Sequence, residues 1–102
     1  MKYTIEKWHN RTIFRYKECL KTFEEFSEII DKNIIPDSKS KTQITSWTCS
    51  FCFIKSGIEV YFENFYDDDS PSYSFELFPL GNCDESGIEK LKLMMDSLES
   101  FV

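Results

Sequence analysis

Four cysteines and a single histidine are the side chains of this 102-residue chain best suited to metal or redox chemistry. Two of the cysteines, in Cys49-Ser50-Phe51-Cys52, have the CxxC spacing of zinc ribbons and thioredoxin-like redox pairs. Sulfurs at that spacing converge on one metal, or on each other, only where a turn brings them round. Here the motif lies inside residues 43–55, where Thr45, Trp47, Cys49, Phe51 and Phe53 alternate with Ser46, Thr48, Ser50, Cys52 and Ile54. A strand with that alternation sends residues three apart to opposite faces, so the two thiols are expected to diverge. A tetrahedral zinc site would need further ligands, and Cys19, Cys83 and His9 are scattered along the chain. The cysteines therefore read as buried or incidental thiols, with no metal or cofactor expected.

His9 is the one candidate general base, and no motif such as GxSxG ties a nucleophile to it. With only Gly57, Gly81 and Gly87, neither a phosphate-binding loop nor a dinucleotide fingerprint can be written. Asp67-Asp68-Asp69-Ser70 could hold calcium weakly, but it lacks the spacing and closing glutamate of an EF-hand loop. No catalytic motif is left, so the chain is not expected to be an enzyme.

The elements that would position these residues follow from periodicity. Residues 22–33 pair Thr22 with Glu25 at capping-box spacing and place Phe23, Phe26 and Ile30 on one helical face, ending before Pro36. Residues 37–41 read as a polar loop and residues 43–55 as one strand. Ser56-Gly57 marks a tight turn. The next strand points Ile58, Val60 and Phe62 inward and Glu59, Tyr61, Glu63 and Phe65 outward. After the aspartate loop a third strand sets Tyr73, Phe75 and Leu77 against Ser74, Glu76 and Phe78. Residues 82–102 form a closing helix with Ser86 and Glu89 as a second capping box and a stripe of Ile88, Leu91, Met95, Leu98 and Val102. The segments YTIEKW and TIFRYK fit a hairpin around His9-Asn10-Arg11. The expected architecture is α+β: one domain over residues 1–102, with a three-stranded antiparallel meander plus N-terminal strands, and two helices packed on one face.

Composition narrows the class further. A chain of this length is one domain, and its ten Phe, five Tyr and two Trp place it far from disordered sequences. No apolar leader follows Met1, and no run reaches the roughly 18 apolar residues of a membrane helix, so a cytoplasmic protein with reduced thiols is expected. The net charge of -6 is unevenly distributed. Residues 1–22 carry six basic and two acidic side chains, whereas residues 56–89 carry nine acidic ones and no Lys or Arg. An acidic half of this kind repels nucleic acid and membranes and attracts basic proteins.

If Ile58, Val60 and Phe62 face the helices, the opposite face of the sheet presents Glu59, Tyr61, Glu63, Phe65, Glu76 and Phe78, with Asp67, Asp68 and Asp69 at its rim. Rings beside carboxylates have the makings of a protein-binding patch, in which the rings supply buried area and the acids steer a basic partner. A small, acidic α+β domain with such a face resembles the immunity proteins of bacterial toxin systems, including contact-dependent growth inhibition. The resemblance implies stoichiometric occlusion of a cognate toxin domain, commonly a basic nuclease, but carries over no individual residue; from the pattern of the face itself, those nine residues are expected to make the contact. Three other readings stay open: a phage-encoded acidic inhibitor or nucleic-acid mimic, a small metal or redox protein built on Cys49, Cys52, Cys83 and His9, and a subunit whose exposed rings form an oligomer interface.

Overall fold

The protein is described by a computed structural model covering residues 3–9, 11–19, 21–46, 48–65, 73–81 and 83–101, with side chains for all of these except Trp8, 17–19, Phe65, Tyr73 and Ser74. Among the described residues the chain forms one antiparallel sheet of seven strands and two helices, an α+β fold. The strands are β1 (Tyr3–Trp8), β2 (Arg11–Cys19), β3 (Ser38–Lys39), β4 (Gln43–Ile44), β5 (Thr48–Lys55), β6 (Ile58–Phe65) and β7 (Tyr73–Pro79). The helices are α1 (Phe23–Asn33) and α2 (Glu85–Leu98). Strands lie in the order β1-β2-β7-β6-β5-β3, with β4 also paired to β5.

The N-terminal hairpin runs in register from Tyr3↔Tyr16 to Trp8↔Arg11. It extends the sheet sideways through Phe14↔Leu77, Arg15↔Glu76 and Tyr16↔Phe75. The meander β5-β6-β7 is held by Phe51↔Phe62 and Phe62↔Leu77 among its pairs. Ser56 and Gly57 both have positive φ, 53° and 79°, as the tight two-residue turn between β5 and β6 requires.

Three local expectations change. Residues 43–55 do not form one strand: Thr45 N–H donates to Thr48 O at 2.8 Å, and Thr48 N–H donates to Thr45 Oγ1 at 3.0 Å. This threonine turn folds β4 back on β5, with Gln43↔Ser50 and Ile44↔Cys49 paired. The predicted polar loop at 37–41 contains β3, which pairs with Ile54 and Phe53. The cap of α2 is Asp84 and not Ser86, because the Asp84 carboxylate accepts from Gly87 N–H at 2.8 Å, two residues upstream of the expected box. A Cβ at Gly87 would collide with the Cys83 sulfur, so a larger residue there requires the Cys83 side chain to move.

The capping box of α1 forms as its spacing predicts, Thr22 Oγ1 accepting from Glu25 N–H at 3.1 Å and Glu25 Oε1 from Thr22 N–H at 3.2 Å. The helix ends at Asn33 with Ile34 as its C-cap, and Ile35, barred from continuing it before Pro36, has a positive φ of 54°.

Both helices bury their apolar stripes on one face of the sheet. Phe26 sits at the centre, its ring 4.5 Å from Phe75, 5.0 Å from Phe62 and 5.4 Å from Tyr16. From α2, Leu91, Met95 and Leu98 complete the core, while Val102 of the predicted stripe lies outside the described residues. Tyr16 Oη donates to the Met95 carbonyl at 2.9 Å and Tyr3 Oη to Asp96 Oδ1 at 2.5 Å, so the N-terminal hairpin is tied to the C-terminal helix. Burial and then the Asp96 contact push the Tyr3 phenol up to about 12, which keeps it a donor. Among the described residues Asn64 is the polar side chain buried in this face, 1% exposed, and neither of its carboxamide atoms has a hydrogen-bond partner.

Candidate partner-binding face

With both helices on one side, alternation along each strand fixes what the other side shows. Cross-strand register assembles a polar row of Thr4, Arg15, Glu76, Glu63, Ser50 and Gln43, one residue from each of β1, β2, β7, β6, β5 and β4. Next to it the pairs Phe78↔Tyr61 and Tyr61↔Cys52 form an aromatic row, with Ile13 on the same face of β2. The Tyr61 and Phe78 ring centroids are 4.9 Å apart.

The strand order brings the basic N-terminal segment against the acidic one. Arg15 Nη1 lies 2.6 Å from Glu6 Oε2, and Arg15 Nη2 pairs with Glu76 Oε1. The Arg11 guanidinium lies over the Phe78 ring, 4.5 Å from its centroid. These contacts correct part of the expected patch. Glu76 and Phe78 are only 8% and 7% exposed, because two arginines of β2 and the Tyr61 ring enclose them. The hairpin lies beside the acidic strands, edge to edge, and covers none of their outward face with a second layer.

Of the nine residues predicted to bind a partner, Glu59 is exposed and Tyr61 and Glu63 are half-buried on the outer face. Phe65 lies in β6, but its side chain falls outside the described residues, as do Asp67, Asp68 and Asp69 altogether. Arg11, Ile13 and Arg15 belong to this face and were not anticipated. Their alternation with Phe14 and Tyr16 puts them on one side of a strand, yet nothing local says which strand lies next to it.

Glu63 is the electrostatic exception. It stands directly across from Glu76, and no hydrogen bond or ion pair reaches it among the described residues. Burial, and then the Glu76 charge, push its carboxyl above the ordinary value. Arg15 is engaged by Glu6 and Glu76, so the row keeps one uncompensated carboxylate.

The cysteines are separated as the alternation predicts. Cys49 is buried opposite Asn64 on the helix side, and Cys52 pairs with Tyr61 on the outer side. Cys83 and His9 do line a common cleft of about 400 Å³ with Arg11 and Thr12 at one end of the sheet, a proximity that their separation in sequence concealed. Burial and then Asp84 push the Cys83 thiol up, while burial and then Glu59 do the same for Cys52, so both are held as thiols and not as nucleophilic thiolates. Among the described residues no group of three or more His, Cys, Asp or Glu side chains is placed to hold a metal, and no helix is long and apolar enough to cross a membrane.

No family model matches the sequence, and neither a curated protein nor a solved structure shows significant similarity to it.

Proposed function

We propose that this chain is a non-catalytic binding protein of the cytoplasm, an immunity protein that neutralises a basic, nuclease-type toxin domain by occluding it one to one. The observation that carries this reading is the outer face of the sheet, where Tyr61, Glu63 and Glu59 stand in or beside an aromatic row and the described acids Glu6, Glu59, Glu63 and Glu76 outnumber Arg11 and Arg15 of β2. Rings that contribute contact area beside carboxylates that attract cations suit a basic protein surface. Tight neutralisation takes an interface of about 1,200–2,000 Å² in total, within reach of one sheet face with its rim. Asp67, Asp68 and Asp69, in the connection between β6 and β7, add negative charge in sequence next to this face.

The nucleic-acid mimic has less support. A mimic needs carboxylates in an open series, whereas Glu76 is enclosed by Arg15 and the Glu63–Glu76 pair sits across one strand spacing of about 4.8 Å.

The test is co-purification of the tagged domain with proteins of the source cell at low and moderate salt, followed by assay of any nuclease recovered. Inhibition of a basic nuclease at equimolar domain supports the reading. Association should slow with Glu59→Lys combined with Glu63→Lys, and dissociation should quicken with Tyr61→Ala. Retention of no basic protein, or full nuclease activity in the complex, overturns it.

A further inference from the structure

Strands β7 and β6 carry the same outward pair, an aromatic residue and a glutamate two positions apart. Phe78 and Glu76 on β7 stand in register with Tyr61 and Glu63 on β6. The neighbours differ. On its far side β7 meets β2, which supplies a guanidinium to each member of the pair, Arg11 over the Phe78 ring and Arg15 on Glu76. On its far side β6 meets β5, which supplies Cys52 opposite Tyr61 and Ser50 opposite Glu63, neither of them a cation. The aromatic-acid pair thus occurs twice, satisfied internally on β7 and left open on β6.

Among the described side chains, the neighbouring strands bring no free cation to Glu63. Glu76 of β7 repels it, Arg15 of β2 is engaged beyond Glu76, and β5 brings only Ser50 and Cys52. Burial, and then the Glu76 charge, raise its carboxyl, and no ion pair among the described residues offsets them.

Building on the reading of this face as the docking surface, we propose that the partner inserts an arginine whose guanidinium lies on the Tyr61 ring and pairs with Glu63, completing on β6 what Arg11 and Arg15 complete on β7. Arginine suits the place better than lysine. Its planar group stacks on a ring while directing paired N–H donors to a carboxylate, which a point-like ammonium does less well. The site therefore selects a basic partner by one anchored side chain, with the remaining negative charge setting the rate of encounter.

A random 12-residue peptide display library selected against the immobilised full chain provides the probe. Enriched sequences should contain arginine, and in the best synthetic peptide replacing that arginine by lysine should weaken binding several-fold and by citrulline more than tenfold. Glu63→Gln should cost at least tenfold in affinity, Tyr61→Leu about threefold, and Glu59→Gln, at the rim of the same face, less than either. Because Glu63→Gln removes a partly buried, repelled charge, the variant should melt no lower than the wild type, so its loss of binding cannot come from unfolding. Enrichment of sequences without arginine, or equal affinity of wild type and Glu63→Gln, overturns the proposal. If Glu63→Gln is silent while Tyr61→Leu or Glu59→Gln weakens binding, the anchor is wrong and the docking face stands. If all three are silent, the docking face falls as well.

Discussion

The two faces of the sheet use the same kinds of side chain to opposite ends. On the helix side, Phe51, Phe62 and Phe75 are each no more than 1% exposed and pack against Phe26 and Phe23, so aromatic area is consumed in holding the fold. On the outer side, Tyr61 and Phe78 are bordered by charge, and only the half next to β2 has its charge compensated. Among the described residues the apolar face holds a buried amide without partners, Asn64, and the polar face a half-buried carboxylate without a cation, Glu63. Aromatic content therefore says little about function until the covering layer is known, and the exceptions mark where each face departs from minimising its own energy.

The contrast is sharpest between neighbours on one strand. Phe62→Ala should destabilise the domain by about 3–5 kcal/mol, because it opens a cavity against four rings of the core, while Tyr61→Ala should cost less than about 1 kcal/mol in the free protein. Denaturant unfolding monitored by circular dichroism measures both, and similar costs would mean that the outer face is as covered as the inner one.

Arg15→Met should come next, at about 2–3 kcal/mol, since it strands the buried Glu76 beside Glu63 without a cation. The same denaturant unfolding measures it. A neutral effect would show that Glu76 and Glu6 are solvated well enough without the arginine.

Asn64→Leu should stabilise the domain by about 1–2 kcal/mol, as a buried amide with no partner is replaced by an apolar group of similar size. A thermal midpoint that falls would show that the amide is satisfied in solution.

The smallest effect is that of Glu63→Gln on the free protein. The folded state holds the Glu63 proton more tightly than the unfolded chain does, so this group's contribution falls as pH rises from the ordinary carboxylate value of 4.5 through the raised folded value. Glutamine does not titrate. Its gain over wild type should therefore appear across that window, persist at neutral pH, and vanish below about pH 4. A gain that is flat with pH would assign the effect to something other than the charge.

Local pattern carried the α1 capping box, the apolar stripes of both helices, the divergence of Cys49 and Cys52, and the facing of β6 and β7, because each depends on periodicity or on contacts a few residues apart. The hidden turn at Thr45 and Thr48 escaped because an alternating strand and two strands joined by a threonine turn have the same hydropathy pattern. The α2 cap shifted because Asp84 and Ser86 are both competent N-cap residues, and packing of the helix decides between them.

What the amino-acid order determined by itself is that a small α+β domain with a one-sided aromatic core would form and that its charge would be segregated along the chain, since both follow from composition and short-range spacing. Where that charge goes was decided only by tertiary structure. The placement of β2 against β7 depends on pairing residues 54 to 63 positions apart, and it set Arg15 of the basic end on Glu76 and Arg11 over Phe78 of the acidic one. The same placement closed the pair on β7 and left its counterpart on β6 open, because β5, the other neighbour of β6, carries no cation opposite Glu63.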